Sequence, residues 1–326
     1  MALSCELAMR GLVEILVLGV WAVLSEQHNN HIRHVSTYFD LSTGTVAFQN
    51  FERKFTLSTL NSDAVMKNIV RALGMLALLV LGAFNNAGTT KYKVRKIIID
   101  AGHGGYDSGA LGKFSKEKDI ALQIALELGG ILKKHMQDVE VVYTRQTDVF
   151  VTLHGRAKIA NKKNADVFIS IHCNATPKGD AAYGTETYTM GLHTSRHNLE
   201  VAKRENEVIL MEDNYQANYQ GFDPKLPESY ILFSLYQNAY NDNSLKLAQN
   251  IQHQFESRVG RKSRGVKQAG LLLLWKTTAP SVLVEVGFIT HPQEEKYLNS
   301  KSGQAYIASA IFRAFRDYKN ELEANS

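Results

Sequence analysis

Ile97-Ile98-Ile99-Asp100-Ala101-Gly102-His103-Gly104-Gly105 is an apolar run that stops at a histidine set between glycines. It reads as a strand buried on both faces, because a half-exposed strand alternates apolar with polar residues. Two later runs repeat the plan. Asp166-Val167-Phe168-Ile169-Ser170-Ile171 ends in His172-Cys173-Asn174, and Ser281-Val282-Leu283-Val284 ends in Glu285-Val286-Gly287-Phe288. Strands of this kind belong to helix-covered sheets, which place their ligand sites beyond the carboxyl ends of the strands. His103, His172 and Glu285 are therefore predicted to converge on one rim.

Between these runs the pattern alternates: strand near 94–101, helix near 117–135, strand near 139–144, helix near 153–163, strand near 166–172. Leu122, Ile124, Ala125, Leu128, Ile131 and Leu132 recur close to helical spacing, which gives the first helix an apolar face for the sheet. Gly184–Thr189 alternates and reads as an exposed or edge strand. From about 191 to 262 the rhythm breaks into a charged, helix-rich insertion with a loop at Asp223-Pro224-Lys225-Leu226-Pro227 and a helix near 228–258. Strands are expected again at 270–275 and 281–286, then a last helix near 303–321. The fold predicted is α/β: a single mixed, mostly parallel twisted sheet covered by helices on both faces, with the helical insertion near the active site.

The 326 residues are 44% apolar, enough for a large core, and Lys+Arg 37 against Asp+Glu 32 leaves a formal charge of +5. That mild excess comes without an arginine stripe or a nucleic-acid motif, so no nucleic-acid partner is expected. Two cysteines, Cys5 and Cys173, cannot build a disulfide framework. Cys173 follows His172 directly and points to the opposite face of its strand, so it reads as a core thiol and not as a ligand.

Met66–Arg71 is basic and Ala72–Ala83 is a short apolar core followed by polar residues, the form of a secretory signal. Residues 1–65 read as a non-native or dispensable extension, with translation starting at Met66. Residues 66–90 read as a signal peptide or a membrane anchor, and 91–326 as the catalytic domain. The location expected is periplasmic or otherwise extracytoplasmic, with membrane attachment only if the segment stays uncleaved.

Two histidines and one carboxylate are a common ligand set for a catalytic zinc that keeps one position for water. Glu117 opens the first helix and completes the set with His103 and His172, and Glu285 reads as the general base.

From about Val94 to Tyr318 the chain resembles the zinc-dependent N-acetylmuramoyl-L-alanine amidases of the bacterial cell-separation type. The matching stretches are Ile-Asp-Ala-Gly-His-Gly-Gly (99–105), Glu-Lys-Asp-Ile-Ala-Leu (117–122), Thr-Arg-Gln-Thr-Asp-Val-Phe-Val-Thr-Leu (144–153) with Arg156, Ala-Asp-Val-Phe-Ile-Ser-Ile-His-Cys-Asn-Ala (165–175) and Pro-Ser-Val-Leu-Val-Glu-Val-Gly-Phe-Ile-Thr (280–290). The resemblance implies one zinc held by His103, Glu117 and His172, with Glu285 catalytic. The bond it implies as substrate joins the lactyl group of N-acetylmuramic acid to L-alanine of the peptidoglycan stem peptide. Cys173 stands where the family more commonly has alanine. The resemblance also implies a regulatory helix in the insertion, moved by an activator protein; Glu200, Glu205 and Glu207 are its candidate zinc plugs, and the 223–227 loop its hinge. Asn174 is a candidate substrate contact, and Arg156 reads first as a fold-stabilising ion pair with substrate binding the alternative. His193 and His197 have helical metal-pair spacing but are not read as a second site. The rival functions are another zinc hydrolase of the envelope, a peptidase or a deacetylase, and a non-catalytic wall-binding protein.

Overall fold

The chain divides into two units, Met1–Gly88 and Thr89–Ser326. The computed structural model describes residues 34–40, 45–51, 67, 71, 75, 92–176, 182–192, 195–235 and 240–324. In the first unit β1 (His34–Asp40) pairs antiparallel with β2 (Thr45–Phe51). Most of the 1–65 extension and of the signal-like segment 66–90 lies outside the described residues. Lys67, Arg71 and Met75 are described, and each is helical and exposed. Among the described residues no helix is long and apolar enough to cross a membrane.

In the second unit six strands form one sheet in the order β4-β3-β5-β8-β6-β7. They are β3 (Lys96–Ala101), β4 (Glu140–Tyr143), β5 (Val167–Asn174), β6 (Thr185–Met190), β7 (Ser263–Ala269) and β8 (Ser281–Phe288). Every neighbouring pair is parallel except β6 with β8. The sheet is thus mixed, mostly parallel, and its central strands are apolar on both faces.

Alternation along these strands feeds two cores. Ile97, Ile99, Val167, Ile169, Val282 and Val284 pack with α1 (Glu117–His135), α5 (Asn241–Val259) and α8 (Lys301–Ala324), whose inward residues include Ile124, Ile251 and Phe315. Ile98, Phe168 and Leu283 turn the other way, toward α2 (Leu153–Lys162), α3 (Arg196–Asn206) and α6 (Leu272–Trp275). Each such aliphatic or aromatic side chain contributes roughly 1.5–3 kcal/mol by leaving water. The second face matters for function, because Phe168, His172 and Asn174 share its parity on β5, as Leu283 and Glu285 do on β8. Cys173 has the other parity and is fully buried in the first core.

Three expectations are corrected. Gly184–Thr189 is no edge strand: β6 is buried at all six positions, between β8 and β7. Its polar alternation is satisfied from α5, where the Gln252 amide lies 2.8 Å from Thr187 Oγ1. The edge is β7, whose charged sequence Ser-Arg-Gly-Val-Lys-Gln-Ala carries little apolar signal. The run at 270–275 is not a strand; Leu272–Trp275 is a short helix with its leucines buried, as suits leucines with no β-branched neighbour. The helix expected at 228–258 is two elements, a 3-10 helix at Pro227–Leu235 and α5 starting at Asn241. The last helix is likewise preceded by a separate one, α7 (Pro292–Asn299), with proline in its first turn.

Candidate functional site

β3 ends in the turn Gly102–Gly105, where His103 adopts φ 57°, a left-handed conformation that a non-glycine residue rarely takes. Its backbone is held there by Arg156 Nη2, which donates to His103 O at 2.7 Å. Gly102 is required at its place, since a Cβ there would come within 2.5 Å of the His172 ring. β5 delivers His172 from the adjacent parallel strand, and the two imidazoles meet edge to face with centroids 4.9 Å apart. Glu117, the first residue of α1, reaches between them. Its Oε2 accepts from Ala110 N at 2.8 Å and its Oε1 from Cys173 N at 2.8 Å, which leaves Oε1 3.2 Å from His103 Nε2 and 3.1 Å from His172 Nδ1.

A fourth group enters from α3: Glu205 Oε2 lies 2.9 Å from His172 Nδ1 and 3.4 Å from His103 Nε2. Ligand atoms of His103, Glu117, His172 and Glu205 all fall within 4.8 Å of one another, and all four residues are buried. Among the described residues His103 Nε2, His172 Nε2 and Glu205 Oε2 are buried and, despite their short contacts, make no well-aligned hydrogen bond. Buried polar atoms are rarely left so, and two imidazole nitrogens facing two carboxylates form a donor set that suits a divalent metal ion. His103 Nδ1 is fixed 2.8 Å from Asp107 Oδ2, the carboxylate–histidine pairing that orients a metal-binding imidazole. Asp107 escapes the sequence reading; its signal is its place four residues after His103 in the same glycine-rich turn.

Charge confirms how tightly these groups depend on one another. Burial disfavours the imidazolium at both histidines, yet the facing carboxylates overcome it and raise both, His172 to about 9. Burial likewise pushes Glu117 up, and the histidines reverse it to about 2. Glu285, opposite His172 in the β5–β8 register, is fully buried. Burial raises its carboxyl well above the ordinary value, Glu205 and Glu117 add to that, and Arg204 opposes it.

α3 brings in Arg204 together with Glu205. Ser195 caps it by accepting from Asn198 N at 3.2 Å, and Asn198, Val201, Ala202, Glu205 and Asn206 make one buried face at helical spacing. Asn206 anchors its far end, donating to Gly270 O at 2.8 Å and accepting from Leu272 N at 3.0 Å. In this seat Arg204 Nη2 donates to Glu285 Oε1 at 3.1 Å and its Nε to Glu205 Oε1 at 3.0 Å.

Of the three expected plugs, only Glu205 reaches the cluster. Glu200 is exposed beside Lys203, and Glu207 is exposed where a 3-10 helix (Glu207–Met211) begins. Asn174 and Arg156, the candidate substrate contacts, are both buried and hydrogen-bonded within the protein, Arg156 in the ion pair the sequence also offers. Asn174 Nδ2 donates to Glu186 Oε2 at 2.8 Å and its Oδ1 accepts from Ala175 N at 2.8 Å. Arg156 pairs with buried Asp100 at 2.7 Å and donates to the carbonyls of Val151, Ala101 and His103. Arg145 completes the clamp on this turn, bonding the carbonyls of Ala101, Gly102 and Lys118. Asp148 binds Gly105 N at 2.7 Å and Lys118 Nζ at 2.6 Å. His197 lies against Glu186, while His193 is outside the described residues. The 223–227 loop is pinned by Tyr230, whose hydroxyl donates to Pro224 O at 3.1 Å.

The sequence model of the N-acetylmuramoyl-L-alanine amidase family matches residues 97–317. N-acetylmuramoyl-L-alanine amidase AmiA of Escherichia coli (strain K12) is 34% identical over 227 residues, covering 69% of this chain and 76% of that one. Among solved structures, the N-acetylmuramoyl-L-alanine amidase from Clostridium difficile 630 superposes with a TM-score of 0.53 at 29% identity, over 70% of this chain and 98% of the other. The CwlD amidase from Clostridioides difficile, solved in complex with the GerS lipoprotein, gives 0.52 at 26% identity, over 70% and 99%.

Proposed function

The chain belongs to the N-acetylmuramoyl-L-alanine amidase family, and from that premise we propose a zinc-dependent hydrolase that separates the stem peptide from N-acetylmuramic acid in wall turnover and daughter-cell separation. One observation carries the reading: the buried convergence of His103, Glu117 and His172 at two strand ends and a helix start, beside Glu285. The three residues would hold the ion, with Asp107 fixing the His103 ring. Zinc bound there supplies Lewis acidity toward a water and the scissile carbonyl. Glu285 takes the water's proton and passes it to the leaving amine of alanine, a task that a carboxyl raised by burial suits.

α3 is the brake in this proposal. Glu205 occupies the cluster and Arg204 engages Glu285, so the nucleophile's place and the base are covered by adjacent residues. Displacement of α3 by an activator protein frees both, and Leu210, Met211 and Leu226, all exposed on the insertion, offer apolar contacts for it. The GerS complex of CwlD supports a partner protein as a possibility within the family. Wall substrate places the enzyme outside the cytoplasm, with residues 66–90 as the export signal.

Digestion of purified peptidoglycan followed by mass spectrometry of the products tests this function. Free stem peptides beginning with alanine, and none in the presence of a chelator, are expected. Products cut within the peptide, or glycan that has lost only acetyl groups, would replace the amidase reading with the peptidase or the deacetylase.

A further inference from the structure

The strand register carries a polar row across the rim, from one strand to the next. His172 on β5 stands opposite Glu285 on β8, and Glu285 stands opposite Glu186 on β6. Beyond Glu186, the β6–β7 register shifts between Thr185–Ser263 and Thr187–Val266, which brings Arg264 beside it. Glu186 is fully buried and is saturated with donors. Its Oε1 receives Arg264 Nε at 2.7 Å and Lys267 Nζ at 3.3 Å, and its Oε2 receives the Tyr188 hydroxyl and Asn174 Nδ2, each at 2.8 Å. His197 of α3 touches both oxygens, at 3.2 and 3.1 Å.

The charge here does not balance. One carboxylate faces two permanent cations, and each of them is still partly open to solvent, Arg264 at 27% and Lys267 at 20% of the side chain. Among the described residues Arg264 Nη1 and Nη2 make no hydrogen bond, although the guanidinium is steadied 5.1 Å over the Phe288 ring. Lys267 has Glu186 as its one ion-pair partner among the described residues. An arginine held by Nε alone keeps its two-pronged edge for a second carboxylate. Beside the row, a cavity of about 540 Å³ is lined by Thr176, Arg196, His197, Glu200 and Arg204, of which His197 reaches Glu186 and Arg204 reaches Glu285; Arg264 and Lys267 stand outside its lining.

We infer that Arg264 and Lys267 form an anion subsite that takes a free carboxylate of the stem peptide, with Glu186 as the buried residue that positions both. The inference rests on the proposed amidase reading: Glu285 protonates the leaving amine, so the leaving peptide extends from Glu285 and its carboxylates pass the neighbouring strands. Both cations stand on β7, outside α3, and they remain when that helix moves. The N-terminal part of α3 and its C-terminal part then cover two sites, His197 the anion subsite and Glu205 the metal cluster.

Two soluble muropeptides that differ only in a free or an amidated carboxylate at the second stem residue test this in the full chain. Their stem-peptide products, titrated calorimetrically, add a reading that needs no turnover. The free acid is expected to bind about 10–100-fold more tightly and to show a KM lower by a similar factor, as hydrogen bonds to charged groups provide. Arg264→Gln with Lys267→Gln should abolish that preference by raising KM for the free acid while kcat holds, and Arg264→Lys should restore part of it. Equal binding of acid and amide by both the unaltered chain and Glu205→Gln, or a preference that survives in the double variant, overturns the subsite. If neither muropeptide is hydrolysed by the unaltered chain or by Glu205→Gln, in which the proposed brake is released, the amidase reading fails while the calorimetric comparison still decides the subsite.

Discussion

The rim of the sheet and the helix laid over it present the same kinds of side chain in opposite settings. On the rim, His103, His172 and Glu285 ride on strands whose parallel register leaves no choice of position, and the His103 turn is clamped by two buried arginines. On α3, Glu205 and Arg204 make contacts of comparable length, but they reach the site from a helix seated by side chains, its buried face, the Ser195 cap and the bonds of Asn198 and Asn206. The difference teaches that a short distance does not define a part of the machinery. What counts is whether the backbone behind the group can move without unpairing the sheet.

The strongest test of that division removes a candidate ligand on the rim. His103→Ala or His172→Ala should lose metal and hydrolysis together, by more than the ~10–100-fold typical for residues that merely support a ligand. Metal analysis of purified protein with a rate measurement checks it, and a variant with full metal and near-normal turnover would break the assignment. Glu285→Gln should instead part the two readouts, keeping the metal while the rate falls about 10²–10⁴-fold, the range of general acid–base catalysis.

Substitutions on α3 should move activity in the other direction. Glu205→Gln or Arg204→Ala is expected to raise the basal rate on peptidoglycan by about 5–150-fold, the usual span of a regulatory coupling. A fall in rate would make Glu205 a working ligand and erase the contrast. Asp107→Asn bears on the rim alone: metal affinity, read by competition with a chromophoric chelator, should drop ~10–100-fold with the fold intact.

The smallest effect concerns acid stability. Burial pushes Glu186 up, but hydrogen bonds from His197, Arg264 and Tyr188 outweigh it and hold the carboxyl at about 2. A carboxyl lowered on folding stabilises the protein above its unfolded value, and that contribution fades as pH falls toward 2. Glu186→Gln should therefore cost roughly 1–3 kcal/mol of stability at neutral pH, read as a lower melting temperature. The gap between the variant and the unaltered chain should close between about pH 4 and 2. A gap that stays constant with pH would show that packing, and not charge, makes the difference.

The sequence alone determined the rim. A run such as Ile97–Ile99 or Val167–Ile171, rich in β-branched residues, favours a strand buried on both faces where the all-leucine run 271–274 became a helix, and the residue where the run stops then stands at the strand's end. Parity did the rest, setting His172 and Cys173 on opposite faces. Glu117 was legible because it opens an amphipathic helix directly after the His103 turn.

Only the tertiary structure decided the remainder. The position of β6 between β8 and β7 follows from polar groups met by α5, an interaction between segments more than sixty residues apart. Asp100 accounts for the burial of Arg156: two groups distant in sequence neutralise each other in the core, and neither carries a local sign of its partner. The choice of Glu205 over Glu200 depends on which face of α3 is buried, and Glu207 falls in the 3-10 helix that follows; helical spacing allows several glutamates until the sheet beneath selects one. Local chemistry fixes elements and their ends; the pairing of charges across the chain is settled when burial removes water and makes each buried group find its partner.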